Sequence, residues 1–326
     1  MATAFLMAQT GTSSANDPYS IVIGTSNQNG SGYTADDVDF MCNGTNDSAV
    51  LTEAFNSLPV DSGRPKKVVI KYGLYNLNSS ITLDHRINNT VVYGEPDSAL
   101  GGKPTLKVTS SGVNAFVLND DSNEIKNYKF QNLILDGSEN FLGFIGFQLG
   151  NSRNGQIVDC NISNFNVGIL GNPKDCLFAD NDFGGSVDGG IYLSTYNQGQ
   201  SSGNVIDGNT FNTRIVLFSD GTMVCNNTFN GNLQSMCIYV SGTDQQNVKN
   251  ISILNNSLTN GYIYIVNCQD SVVSSNVVEQ YTTGIELNNT INSLIADNTI
   301  TQISDNQHTA GNENYYRGNS GTIIRP

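Results

Sequence analysis

The chain of 326 residues has no tryptophan, only two histidines, and just 15 Lys and Arg residues against 29 Asp and Glu. Each shortage excludes something. A net charge of −14 repels phosphate backbones, so nucleic acid is excluded as a partner. No run of 18 apolar residues exists, which argues against a membrane-inserted helix. The cysteines (Cys42, Cys160, Cys176, Cys225, Cys237 and Cys268) are scattered and contain no CxxC pair. They read as reduced thiols made in a cytoplasm, not as a disulfide framework. The stretch Met1-Ala-Thr-Ala-Phe5-Leu6-Met7-Ala8 has no basic residue before its apolar part, so it does not read as a secretory signal. Acidic stretches at Asp36-Asp37-Val-Asp39 and Asn119-Asp120-Asp121 offer hard oxygens but lack EF-hand spacing, and read as turns or caps. No metal and no cofactor is expected.

What the chain has in quantity is Asn, about one residue in seven, together with 33 Gly. Many of these Asn residues recur within one phrase: an apolar residue, two small or polar residues, Asn, one residue, then a second apolar residue. It reads Phe178-Ala-Asp-Asn181-Asp-Phe183, Ile206-Asp-Gly-Asn209-Thr-Phe211, Val224-Cys-Asn-Asn227-Thr-Phe229 and Ile253-Leu-Asn-Asn256-Ser-Leu258. Val273-Ser-Ser-Asn276-Val-Val278 and Ile295-Ala-Asp-Asn298-Thr-Ile300 follow, with a degenerate copy around Asn319. The Asn spacings are 28, 18, 29, 20, 22 and 21, a period that marks a solenoid. Alternating Val, Ile, Phe and Thr make its units strands, so the fold is read as an all-β, right-handed parallel β-helix with three strands per rung. Stacking should place Phe183, Phe211 and Phe229 in an internal aromatic column and the repeated Asn in a buried amide ladder, with Cys160 standing in for Asn in its own rung.

A third strand per rung is carried by Gly146-Phe-Gln-Leu149, Gly168-Ile-Leu170, Gly190-Ile-Tyr-Leu193, Arg214-Ile-Val-Leu217, Cys237-Ile-Tyr-Val240, Tyr262-Ile-Tyr-Ile265 and Gly284-Ile-Glu-Leu287. With Ile and Leu turned inward, the residue between them points out. The outward column is then Gln148, Leu170, Tyr192, Val216, Tyr239, Tyr264 and Glu286, with Tyr262 and Arg214 one alternate position away. Tyr combines an apolar face with a hydroxyl, which suits stacking on sugar rings. Tyr192, Tyr239, Tyr262, Tyr264, Arg214 and Glu286 are therefore candidate carbohydrate-binding residues. A subunit interface and a plain strand face are the competing readings. No catalytic residue is identified. Glu279 and Glu286 lie on consecutive strands of one turn, and whether any carboxylate pair converges depends on loop geometry.

At the other end, residues 47–58 have helical apolar spacing, with Asp47 placed to cap the helix, and should cover the first rung. The expected division is an attachment segment at 1–33, containing the short strand Ser20–Gly24, and a β-helix domain at 34–326. No comparable cap follows the last repeat, so a homo-oligomer, most simply a trimer, is expected there.

The stretch Asp36-Asp37-Val-Asp39-Phe-Met-Cys42-Asn-Gly44-Thr-Asn-Asp47-Ser-Ala-Val-Leu51, followed by Val68-Val-Ile-Lys-Tyr-Gly73-Leu-Tyr75-Asn-Leu77, resembles the opening of the pectate-lyase-like superfamily. That superfamily includes pectate lyases, polygalacturonases and phage tailspike or appendage proteins. The enzymes' own signatures are missing here, both the Asn-Thr-Asp with Gly-His-Gly pattern and the Arg-rich phrase. The resemblance thus implies a bacteriophage virion protein, made in the host cytoplasm and assembled with other virion proteins, that contacts host cell-surface polysaccharide. A polysaccharide lyase or glycoside hydrolase is the alternative it implies, and a purely structural virion protein the second.

Overall fold

The computed structural model describes residues 19–26, 33–60, 63–97, 101–120, 122–138, 143–185, 188–194, 201–230, 235–242, 247–306 and 313–325. Three long, all-parallel sheets of 13, 9 and 11 strands run along one coil, and the repeating rungs contribute a strand to each. This is the right-handed parallel β-helix expected from the repeat. The apolar residue before each Asn lines the 13-stranded sheet, where Phe178, Ile206, Val224, Ile253, Val273 and Ile295 pair in a single register column. The apolar residue after it lines the 9-stranded sheet. There Phe183 and Phe211 stack at 4.8 Å and 4°, and Phe211 and Phe229 at 4.9 Å and 14°. All three rings are fully buried, so the aromatic column forms as the spacing requires.

The corner between those two sheets explains the Asn. The ladder runs Asn181, Asn209, Asn227, Asn256, Asn276, Asn298, Asn319. From Asn209 onward each Oδ1 accepts two bonds from the rung before, one from a backbone N–H and one from a side-chain Nδ2. For Asn227 these come from Asn209 N at 2.9 Å and Asn209 Nδ2 at 3.0 Å. Its own Nδ2 donates onward to Asn256 Oδ1 at 3.0 Å and back to the Ile206 carbonyl at 2.9 Å. Buried amides are therefore fully paired. Cys160 ends the column as expected: it is buried, and its N–H donates to Asn181 Oδ1 at 3.0 Å. The residue just before each ladder position takes the left-handed conformation that turns the corner. It is Asp180 (φ 54°), Gly208 (66°), Asn226 (57°), Asn255 (55°), Ser275 (58°), Asp297 (54°) and Gly318 (66°). Gly, Asn and Asp tolerate that region best, which accounts for much of the composition.

A second corner carries a shorter polar ladder with mixed residues. Asn204 Oδ1 accepts from Cys176 N, Ser271 Oγ from Ile251 N, Ser293 Oγ from Ser271 N, and Asn314 Oδ1 from Ser293 N. Its positions are Cys176, Asn204, Ile251, Ser271, Ser293 and Asn314, so no single residue type repeats along the chain to mark it.

One helix, Asp47–Asn56, packs Leu51, Ala54 and Phe55 over the open end of the core, with Phe55 edge-on to Phe116 at 6.3 Å. Asp47 does not cap it, contrary to the expectation. The N-cap is Asn46, without a side-chain cap bond, and Asp47 is the first helical residue. Its buried carboxylate instead accepts from Asn43 N, Gly44 N and Asn76 N, tying the loop before the helix to the first rung. Three backbone donors converge on that carboxylate, and they hold it away from the helix N–H groups. The strand Ser20–Thr25 joins the 13-stranded sheet between Phe40–Cys42 and Lys66–Lys71. Residues 1–18 and 27–32 of the expected attachment segment, His308 and Asp121 lie outside the described residues. No helix among the described residues is long and apolar enough to cross a membrane.

Candidate functional site

The 11-stranded sheet places the outward column as the alternation required. Cα register runs Gln148, Leu170, Tyr192, Val216, Tyr239, Tyr264, Glu286, rung on rung. The inward neighbours Ile191, Leu193, Ile215, Leu217, Ile238, Val240, Ile263 and Ile265 are buried, which fixes the column's outward direction. Tyr192, Tyr239, Tyr262, Tyr264 and Glu286 are half-buried, whereas Val216 is buried although it shares the column.

Two aromatic residues that the repeat did not single out complete the strip. Phe218 lies between Tyr192 (5.7 Å) and Tyr239 (6.1 Å, edge-on) and bridges the rung at which the column holds Val216. Tyr281 stacks on Tyr262 at 5.1 Å and 14°. Tyr239 stacks on Tyr264 at 5.7 Å and 16°, and Tyr264 meets Tyr262 at 6.3 Å. Six rings thus form a continuous surface. Phe218 escaped notice because it follows its strand, Ile215–Leu217, and Tyr281 because it stands in a connection between strands. The one available signal was an aromatic residue just outside the strand phrase in rungs that already carry outward Tyr.

Arg214 Nε donates to the Asp188 carbonyl at 2.8 Å and ties one rung's backbone to the next. Glu286 accepts from Asn306 Nδ2 at 3.3 Å, and Asn288 Nδ2 reaches the Tyr264 hydroxyl at 3.5 Å. Burial, then the Glu286 charge, then the neighbouring tyrosines push the Tyr262 hydroxyl above the ordinary tyrosine range. Glu279 is exposed at the end of a strand of the 9-stranded sheet, while Glu286 sits within the 11-stranded sheet. In the acidic stretches, Asp120, Asp37 and Asp39 accept hydrogen bonds from neighbouring groups. Asp120 accepts from His85 Nδ1, and from the backbone of His85, Ser122 and Asn123. The His85 bond leads the causes holding its carboxyl below the usual range. Asp37 accepts from Thr34, and Asp39 from Val22 N.

Comparison with known proteins adds a family and a set of folds. A family model described as periplasmic copper-binding protein (NosD) matches residues 140–325, more than half of the chain. Among curated proteins none matches. Among solved structures, the A-module of a mannuronan C-5 epimerase from Azotobacter vinelandii is 14% identical, with a TM-score of 0.59 over 86% of this chain and 94% of its own. A mutant tailspike protein of an E. coli bacteriophage, HK620, solved with a pentasaccharide, is 14% identical, with a TM-score of 0.60 over 86% of this chain and 58% of its own. The Streptococcus pneumoniae surface protein and adhesin PfbA is 12% identical, with a TM-score of 0.53 over 85% and 94%. These likenesses share the coil.

Proposed function

The chain belongs to the family described as periplasmic copper-binding protein (NosD), and from the aromatic strip on its coil we propose that it is a bacteriophage virion protein, in a tail, appendage or decoration, whose 11-stranded sheet contacts host-surface polysaccharide. The observation that carries this reading is the aromatic strip. Tyr192, Tyr239, Tyr264 and Glu286 occupy one outward register over four rung steps of ~4.8 Å, a span of about 19 Å along which a sugar chain can lie. Tyr rings offer flat apolar faces with hydroxyls at their rims, the combination a pyranose ring needs. The tailspike solved with a pentasaccharide lends support by fold alone.

Copper, named in the family's description, finds no fitting donors here. The described residues contain no group of three His, Cys, Asp or Glu able to hold a metal ion, and all six cysteines are buried and unpaired. Burial pushes the thiols of Cys160, Cys176, Cys225, Cys237 and Cys268 up to about 12, so at neutral pH they are thiols, not the thiolates a soft metal binds.

Tyr315, Ile323 and Ile324 are exposed large apolar side chains on the strands Tyr315–Arg317 and Thr322–Ile324, an apolar surface that association would cover. A homotrimer, or docking onto other virion proteins with help from residues 1–33, is the assembly we propose. Light scattering on the full chain and on a chain lacking residues 1–18, which keeps the strand Ser20–Thr25 in its sheet, checks this; two stable monomers would argue against it.

The binding test is the Tyr239→Ala/Tyr264→Ala double variant against host envelope polysaccharide. Affinity should fall by about 1–3 kcal/mol, the scale of losing packed aromatic contacts, while the circular dichroism spectrum stays that of the parent. Unchanged binding would remove the ridge from consideration and send attention to the loops at 195–203 and 304–314, of which 195–200 and 307–312 lie outside the described residues. Sizing the polysaccharide after incubation separates contact from cleavage: unshortened product is expected, and a depolymerase would shorten it.

A further inference from the structure

The ridge is electrostatically one-sided. At its C-terminal end two stacked pairs, Tyr239 with Tyr264 and Tyr262 with Tyr281, lie side by side, with Tyr262 and Tyr264 6.3 Å apart. Glu286 is the register partner of Tyr264 on the next rung. It is half-buried, accepts one hydrogen bond, from Asn306, and forms no ion pair among the described residues. The cationic candidate of the sequence reading, Arg214, is turned to the Asp188 carbonyl and does not neutralise it.

Aromatic faces present the negative side of their quadrupole, and a carboxylate beside them adds a full charge of the same sign. Tyr239 and Tyr264 turn one face each on the other, as do Tyr262 and Tyr281, so the Glu286 charge leads and the faces left free add to it; together they favour a cation. The whole chain, at −14, acts in the same direction. A uronate polymer would be repelled from this end, and an N-acetylated sugar would leave the Glu286 charge unanswered. A protonated amine answers both, because an ammonium carries three donors and a charge that aromatic faces attract.

We propose that the C-terminal end of the ridge takes an amino sugar with a free, unacetylated amine, its ring against Tyr239 and Tyr264 and its ammonium against Glu286. This rests on the glycan-binding reading of the ridge and narrows it to cationic glycans.

The experiment is calorimetric titration of the full chain with glucosamine hexasaccharide, its fully N-acetylated counterpart and a hexagalacturonate, at a pH where the amine is protonated. The glucosamine oligomer should bind about tenfold more tightly than the acetylated one, the scale of a desolvated cation–aromatic contact with a carboxylate. The galacturonate should bind least, and rising salt should erode the preference for the amine. Glu286→Gln should abolish that preference. Tyr239→Ala/Tyr264→Ala should weaken both amino-sugar oligomers. Equal binding of the free and acetylated oligomers by the parent overturns the amine proposal but leaves the glycan reading standing. So does tighter binding of the galacturonate. If no oligomer and no host polysaccharide binds the parent, and the double Tyr variant instead changes the oligomeric state, the ridge is a subunit interface and both readings fall. Because the parent alone gives the free-against-acetylated comparison and the salt series, the outcome does not depend on how well a variant folds.

Discussion

Two columns of side chains run along the coil, one at the corner between the 13- and 9-stranded sheets and one on the outer face of the 11-stranded sheet. The corner column is Asn in seven successive rungs, with left-handed residues before it. The outer column reads Gln, Leu, Tyr, Val, Tyr, Tyr, Glu over the same kind of register. Both hold register from rung to rung, the outer sheet with one irregularity at Met236–Ile238, so backbone geometry does not explain why only one is uniform. Hydrogen-bond accounting does. A corner side chain must accept twice and donate twice while buried, and Asn fits that demand; an outward strand position imposes none. Repetition at the corner therefore reports structure. Tyrosine at the outer positions is not required by the fold, and needs a reason outside it.

Substitutions can press on this contrast, beginning beneath the corner. Phe211→Ala should have the largest effect, about 3–5 kcal/mol, because it opens a cavity between two stacked rings. Urea denaturation with an unchanged m-value would register it. Asn227→Leu should follow at about 2–3 kcal/mol: it orphans the Asn209 N–H and Nδ2 and leaves the Ile206 carbonyl and Asn256 Oδ1 short of a donor. A loss near zero by the same measurement would mean that the ladder is replaceable by packing. Asn226→Ala, at a φ of 57°, should lose about 1–2 kcal/mol, and Asn226→Gly should recover most of it. On the outer column, Tyr239→Ala/Tyr264→Ala should lower stability by no more than about 1 kcal/mol per residue, the scale of cross-strand pairs. A loss as large as that of Phe211→Ala would erase the distinction between the columns.

The smallest effect is a pH dependence confined to the ridge. The Tyr262 hydroxyl is raised above its ordinary value of 10.0 in the folded protein, so its contribution is fully present below that pH. It is lost as pH rises through the folded value, because the unfolded chain ionises more readily. The difference in denaturation midpoint between the parent and Tyr262→Phe, followed from neutral pH into that alkaline range, should shift in the variant's favour. A constant difference would separate Tyr262 from the Glu286 charge.

Much of this coil was legible in one dimension, because each rung touches only the rungs beside it and like residues fall over like. The interval between Asn residues determined the rungs. The apolar pair around Asn181, Asn209 and Asn227 determined which side chains fill the core, and strand alternation determined that Tyr192, Tyr239, Tyr264 and Glu286 share one face. Tertiary structure alone decided what lies between the repeats, where loop lengths vary and no period constrains the chain. Phe218 and Tyr281 completed the aromatic strip from positions outside the strand phrase, and Arg214 turned to a backbone carbonyl instead of the tyrosines. Asp47 left the helix cap for three backbone N–H groups drawn from two separate segments. A repeat specifies partners at a fixed offset along the chain; a hydrogen bond or ring contact formed across a connection of arbitrary length depends on where folding brings its ends.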